Sequence, residues 1–168
     1  MKKIAVMGTH SVGKSTLCYQ LALEAKKLGE SVHIVQERVR FSPCPINTHM
    51  TLDTCYWAAA NQISKEIEAQ QKGFSRIICD RSPLDTFAYA RYNNIHYSSY
   101  LEDFARTWLR TYSCIYLVHP SPDHIPSEDG VRSTDEKFIK CIDAILTQMM
   151  NETDIPYIPL SSKEIFHV

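Results

Sequence analysis

The segment that most constrains the fold is the loop Gly8–Ser15, with the sequence GTHSVGKS. A glycine lies on each side of its four variable residues, and a lysine and a serine follow the second glycine. This is the spacing of a phosphate-binding loop. Glycine lets the backbone turn so that successive N–H groups face one anion. An apolar strand is predicted before the loop at Lys3–Met7, and an amphipathic helix after it at Lys14–Leu28. The positive end of that helix would point at the same anion.

Each fixed position of the loop has a chemical task. The Lys14 ammonium would reach the outer phosphates of ATP, and the Ser15 hydroxyl would bind Mg²⁺. His10 is not a fixed position, and we expect its side chain to point outward. The residues predicted to hold ATP are Gly8, Ser11, Val12, Gly13, Lys14, Ser15 and Thr16.

Short apolar segments alternate with longer amphipathic ones along the whole chain of 168 residues. This alternation is typical of βαβ units, and continuous apolar runs are typical of parallel strands buried on both faces. The length suits one domain. We therefore expect an α/β protein with a five-stranded parallel sheet in a single domain, residues 1–168. The predicted strands are Lys3–Met7, Ser31–Gln36, Arg76–Asp80, Cys114–His119 and Ile155–Leu160.

The third predicted strand ends at Asp80, and Arg81 follows it. In an open parallel sheet, ligands bind beyond the carboxyl ends of the strands, so these residues should face the same crevice as Gly8. A carboxylate there can hold Mg²⁺, and an arginine can bind a phosphate with its planar guanidinium. We predict Ser15 and Asp80 as metal ligands, and Arg81 as a catalytic and substrate-binding residue.

Glu37 follows the second predicted strand and falls over the same crevice. Its carboxylate would accept a proton from an attacking hydroxyl or bind a sugar hydroxyl. Arg38 and Arg40 would anchor a phosphate of the acceptor. We therefore predict Glu37 as catalytic and substrate-binding, and both arginines as substrate-binding.

These motifs together resemble the P-loop nucleoside and nucleotide kinases. DRSPLDTFAYA, residues 80–90, is similar to the thymidylate kinase pattern of DRY, a serine and AYQ, with Ser82 replacing the tyrosine and Ala90 the glutamine. GTHSVGKST and the later Asp129-Gly130-Val131-Arg132 look more like the ribosylnicotinamide-kinase-like ATPase family. The resemblance covers essentially the whole chain and implies the three-layer P-loop kinase fold, with helices on both faces of the sheet.

The resemblance also implies roles for residues outside these motifs. Segment 119–133 would be a mobile lid over ATP, and Arg132 would neutralise charge there in the transition state. The prolines and the glycine of this segment agree with a closing loop. The helix predicted at Leu52–Lys72 would line the pocket of the acceptor base. The further residues predicted to bind the acceptor are Trp57, Gln62 and Arg91.

Composition excludes several other classes of protein. The 18 basic and 19 acidic residues give a net charge of −1, which is unsuited to following a nucleic acid duplex. No apolar run approaches the ~20 residues that a membrane span needs. The six cysteines form no CxxC pair and the histidines no HExxH pattern. We expect reduced cysteines, no zinc site and a cytoplasmic protein.

The leading hypothesis is transfer of the γ-phosphoryl group of ATP to a nucleoside monophosphate, as in thymidylate kinases. The arginines favour a phosphorylated acceptor, whereas Glu37 favours a hydroxyl, so a nucleoside or ribosylnicotinamide kinase is the alternative. A kinase of modified bases in DNA is a further alternative. So is an ATPase or switch without an acceptor, although the chain has no NKxD sequence. The expected partner is a small nucleotide or nucleoside, and a homodimer stays open.

Overall fold

The computed structural model describes residues 1–121 and 135–166, and in them five strands form one sheet. The strand order is β2-β3-β1-β4-β5, and every neighbouring pair is parallel. The strand that leads into the phosphate-binding loop therefore lies at the centre of the sheet. The strands are β1 (Lys2–Gly8), β2 (Val32–Val35), β3 (Arg76–Asp80), β4 (Cys114–His119) and β5 (Ile158–Ser161).

Helices cover both faces of this sheet. On β1, Ala5 and Met7 point into one buried apolar cluster, to which the second to fifth helices contribute. Val6 points into a second cluster, with Leu17 of the first helix and Ile165 of the last. The three-layer fold is thus confirmed. The helices are α1 (Lys14–Lys27), α2 (Leu52–Gln71), α3 (Pro83–Tyr92), α4 (Ser99–Leu109), α5 (Glu136–Asn151) and α6 (Ser162–Phe166), and single 3₁₀ turns lie at Val39–Phe41 and Asn47–His49.

Side-chain caps fix the starts of the two helices beside the candidate site. Thr51 caps α2 in a reciprocal capping box with Thr54. Ser82 caps α3 in the same way with Asp85, and Pro83 occupies the first turn. A reciprocal cap satisfies backbone N–H groups that the helix itself leaves unbonded. The start of α3, directly after Arg81, is therefore held in one place.

Three further expectations concern the cysteines, a membrane span and the lid. All six cysteines are free thiols. Among the described residues, no helix has both the length and the apolar character needed to cross a membrane. Of the predicted lid, residues 122–133 lie outside the described residues, and Arg132 is among them.

Candidate active site

The phosphate-binding loop begins where β1 ends. Gly8 has a φ of +140°, and a Cβ there would lie 2.4 Å from the carbonyl oxygen of Val118 on β4. Only glycine fits both the conformation and the space. Ser11 and Gly13 also have positive φ values, of 63° and 85°. The loop therefore makes the tight turns that its sequence predicts.

The loop ends at the start of α1 with a buried lysine. Gly13 occupies the N-cap position without a side-chain cap, which leaves the first N–H groups of the helix available to an anion. Lys14 is 5% exposed, and its Nζ donates to the carbonyl oxygen of Thr9. Burial, with a smaller contribution from the charge of Arg81, lowers the pKa of Lys14 to about 8. A phosphate beside this ammonium would relieve the cost of its burial.

Asp80 lies beside the first turn of α1. The parallel register pairs Val6 of β1 with Asp80 of β3, which brings both strand ends to the same edge of the sheet. Ser15 Oγ donates to Asp80 Oδ2 at 2.5 Å. Asp80 Oδ1 is buried and has no hydrogen-bond partner among the residues that the structure describes. A buried carboxylate oxygen without a donor, beside a serine hydroxyl, is a donor set that suits a hydrated Mg²⁺.

Glu37 and Arg81 form an ion pair at the same edge. Arg81 Nε donates to Glu37 Oε1 at 2.5 Å, and the two side chains are only 12% and 11% exposed. Arg81 Nη1 also lies 3.4 Å from the carbonyl oxygen of Gly8. The guanidinium stands 5.5 Å from the centre of the Tyr89 ring. The pair thus joins the end of β2 to the start of the phosphate-binding loop.

A pocket opens beside this ion pair. The charged side chains that the structure describes on its lining are those of Glu37, Asp85 and Arg81. Ile46, Met50 and Tyr89 are among those that give it an apolar wall. A concave, mostly apolar site with a few convergent polar groups is typical of small-molecule recognition.

Asp85 is a further site residue, which the motifs of the sequence do not single out. Its Oδ1 accepts from the backbone N–H of Gly8 at 3.1 Å, and its Oδ2 accepts from the N–H and the hydroxyl of Ser82 at 2.8 and 2.9 Å. It therefore ties the phosphate-binding loop to α3. Burial raises the pKa of this carboxyl, against the lowering effects of Arg81 and the N–H donors. The signal was present in the sequence as serine, two residues and an acid at a helix start.

The expectation that His10 points outward is wrong. Its side chain is 3% exposed and lines the pocket. Its Nδ1 lies 3.1 Å from the hydroxyl of Tyr89, and its ring centre lies 5.2 Å from that of Phe138. The ring turns inward because it packs on two aromatic side chains and keeps a polar partner there.

Several residues predicted to bind the acceptor are not among those that line this pocket. Arg91 pairs with Glu102 at 2.6 Å and with Glu152 at 3.3 Å. Gln62 is 5% exposed, and neither it nor Trp57 is among the lining residues. The Arg38 guanidinium stands 5.0 Å from the centre of the Phe41 ring, and the side chain of Arg40 lies outside what the structure describes. Of the predicted acceptor residues, the structure brings Glu37 and Arg81 together at the pocket.

The central loop, the strand order and the helices on both faces define a P-loop domain with the kinase fold. More particularly, the chain belongs to an AAA domain family, whose model matches residues 3–166. Its fold is similar to that of a deoxyadenosine kinase from M. mycoides, solved with bound dATP. That structure has a TM-score of 0.63 and 21% sequence identity, over 97% of this chain and 92% of the other. The comparison with curated proteins gives no match.

Proposed function

We propose that this protein is a nucleoside kinase, which transfers the γ-phosphoryl group of ATP to a hydroxyl of a nucleoside. The observation that carries the proposal is the Glu37 carboxylate, held by Arg81 at the pocket and next to the phosphate-binding loop. A carboxylate in that place can accept the proton of an attacking hydroxyl. The similar structure named above is itself that of a nucleoside kinase.

The charges around the pocket favour a neutral sugar over a nucleotide phosphate. Glu37 and Asp85 place two carboxylates on the lining, and Arg81 is the one arginine among the lining residues that the structure describes. Arg91, which was expected to help bind a phosphorylated acceptor, pairs with glutamates elsewhere. A phosphate in this pocket would meet two carboxylates, against the single guanidinium with which both of them pair, and this balance disfavours a further negative charge. We therefore prefer a nucleoside to the nucleoside monophosphate of the leading sequence hypothesis.

Each residue of the site has a separate role in the proposed reaction. The loop Gly8–Ser15 holds the phosphates, and the Lys14 ammonium neutralises charge on the transferring group. Glu37 takes the proton of the acceptor hydroxyl, and Arg81 fixes the Glu37 carboxylate and stabilises charge as the phosphoryl group moves. Ser15 and Asp80 would hold Mg²⁺, which would neutralise charge on the β- and γ-phosphate oxygens.

A second candidate acceptor is a nucleoside monophosphate, and a feature of Arg38 favours it. Arg38 Nε is buried and has no hydrogen-bond partner among the described residues. A phosphate oxygen of a nucleoside monophosphate would accept a hydrogen bond from that N–H group. This candidate keeps the same fold, the same ATP site and the same role for Lys14, so only the choice of acceptor separates it from the nucleoside.

A panel of acceptors tests the proposal. ADP release is measured with ATP and Mg²⁺ for each nucleoside and for each 5′-monophosphate. We expect ADP release to depend on a nucleoside. Lys14→Ala is the control, and it should stay folded and lose at least ~10³-fold in turnover because the lost charge faces the transferring group. ADP release that ignores every acceptor would make the protein an ATPase and overturn the proposal.

A further inference from the structure

A cluster of buried polar side chains lies behind the pocket, between β1, α2 and α4. Its centre is Glu66, a glutamate of α2 with no exposed surface. The Glu66 carboxylate accepts from Lys3 Nζ at 2.9 Å, Trp108 Nε1 at 2.8 Å and the Tyr112 hydroxyl at 2.7 Å. It also accepts from Gln62 Nε2 at 2.8 Å. A buried carboxylate with this many donors has a fixed position.

The same cluster fixes the side-chain amide of Gln62. Its Nε2 donates both to Glu66 Oε1 and, at 3.2 Å, to the carbonyl oxygen of Arg81. Both partners are acceptors only, so the NH₂ group of the amide must face them. Each of its two hydrogens then has one partner. Gln62 is therefore a rigid link between Glu66 and the backbone of Arg81.

The backbone of Arg81 needs such a link. Its φ is +89°, a left-handed conformation that is strained in a residue with a side chain and persists only where its surroundings hold it. Its N–H donates to the carbonyl oxygen of Val6 at 3.0 Å, and its own carbonyl accepts from Gln62. This peptide geometry sets the direction in which the guanidinium leaves the chain toward Glu37.

We propose that Gln62 is a positioning residue for Arg81. Its amide holds the left-handed peptide of Arg81 against the Glu66 cluster, and so sets the place of the guanidinium and of its partner Glu37. The inference rests on the proposed function, in which Arg81 and Glu37 act on the acceptor. Gln62 acts without touching the acceptor, because it is 5% exposed and is not among the lining residues of the pocket.

The first test compares the effect of a substitution at Gln62 on the kinetics of the acceptor with its effect on the kinetics of ATP. Gln62→Met keeps the length of the side chain and removes both donors. It should lower kcat/KM for the acceptor by about 10- to 100-fold and change the KM for ATP by less than about twofold. Gln71→Met, at an exposed position of the same helix, is the matched control and should change neither value. The inference would be overturned if Gln62→Met weakened the kinetics of ATP as much as those of the acceptor, or if it changed neither.

The second test asks whether Gln62 acts through Arg81. In an Arg81→Ala background the guanidinium is already gone, so adding Gln62→Met should lower kcat/KM by less than about twofold further. Losses that multiply in the double variant would show two independent roles and would contradict a positioning role.

The third test does not depend on activity. The Arg81 Nε–H bonds to Glu37, and its ¹H–¹⁵N cross-peak is identified by its absence in Arg81→Lys. The peak should shift or broaden in Gln62→Met and stay unchanged in Gln71→Met. An unchanged peak in folded Gln62→Met overturns the inference, even if the wild type phosphorylates nothing. If the Arg81 cross-peak shifts in Gln62→Met but the wild type has no kinase activity, the positioning role is supported and only the proposed function is overturned.

Gln62→Asn is the second variant if Gln62→Met does not fold. It keeps the amide and is one methylene shorter, so it cannot reach both acceptors at once. The same kinetic split and the same movement of the cross-peak are expected. If neither variant folds, Gln62 serves folding, and the inference is overturned.

Discussion

At the residue scale, the ion pair of Glu37 and Arg81 carries the proposed chemistry. Both side chains are nearly buried, so each charge depends on the other. Glu37→Gln keeps the shape of the side chain and removes the proton acceptor. We expect kcat/KM for the acceptor to fall by about 10²- to 10³-fold, with ATP affinity unchanged within about twofold. Steady-state kinetics beside an ATP titration measure both.

Glu24→Gln is the matched control for this substitution. Glu24 pairs with Lys27 on the exposed side of α1, and both side chains are more than half exposed. An exposed pair of this kind contributes little to stability, and we expect wild-type kinetics. Equal losses of ATP affinity and turnover in Glu37→Gln would contradict the role of Glu37 as the base.

The lowered pKa of Lys14 makes ATP affinity depend on pH. The free protein has a Lys14 pKa of about 8, and a bound phosphate, which favours the ammonium, would raise it. ATP affinity should therefore be constant below about pH 8 and fall by up to about tenfold per pH unit above it. Calorimetric titrations from acidic to alkaline pH measure this fall, which Lys14→Met should abolish. A flat profile above pH 8 in the wild type would contradict the prediction.

The sequence predicts the residues of this site that belong to fixed motifs. Gly8, Lys14 and Ser15 follow from the spacing of the loop, and Glu37, Asp80 and Arg81 follow from their places at strand ends. The sequence did not predict the inward turn of His10, because its aromatic partners lie far along the chain. The direction of a side chain depends on the residues that pack against it in the folded protein, and the spacing of residues within a short motif does not reveal them.

At the element scale, the close approach of β1 and β4 at Gly8 has a measurable cost. A Cβ at Gly8 would lie 2.4 Å from Val118 O at a φ of +140°. Gly8→Ala should lower the free energy of unfolding by more than about 3 kcal/mol. Gly73→Ala is the control, since Gly73 also has a positive φ, of +75°, but open space around it.

Urea unfolding of both glycine variants measures the difference between them. The control should lose only about 1–2 kcal/mol, the cost of a left-handed conformation alone. The additional loss of unfolding free energy in Gly8→Ala then measures the cost of the contact with Val118. Equal losses in the two variants would contradict the close approach.

Element bounds follow from the sequence where the local signals are strong. β3 and β4 have the predicted bounds, because each is a continuous apolar run. β5 is shorter than predicted and runs from Ile158 to Ser161. A short helix, α6, follows the strand directly and was not predicted from the sequence.

At the scale of the whole molecule, a network of charges joins three helices outside the pocket. Arg91 of α3 binds Glu102 of α4 through two nitrogens, at 3.1 and 2.6 Å. Arg106 binds the same glutamate, and both arginines reach Glu152, at the end of α5. The sequence predicts Arg91 as an acceptor ligand because a basic residue suits a phosphate, and it does not reveal this network, in which Glu152 lies 61 residues from Arg91 along the chain.

The network predicts that Arg91 affects stability and not acceptor binding. Arg91→Gln should lower the free energy of unfolding by about 1 kcal/mol, because the pair is only partly exposed and bidentate. The KM for the acceptor should stay within about twofold. Arg110→Gln is the control, since Arg110 and its partner Asp154 are mostly exposed. A large rise in acceptor KM with unchanged stability would return Arg91 to the substrate site.

The most direct test of the account is a competition between the two classes of acceptor. The protein is incubated with ATP labelled in its γ-phosphoryl group and an equimolar mixture of a nucleoside and its 5′-monophosphate. Because the pocket presents Glu37 and Asp85 beside Arg81, we predict that the label appears in newly formed nucleoside monophosphate. Label only in nucleoside diphosphate would assign the chain to the monophosphate kinases. Label only in inorganic phosphate would contradict phosphoryl transfer itself.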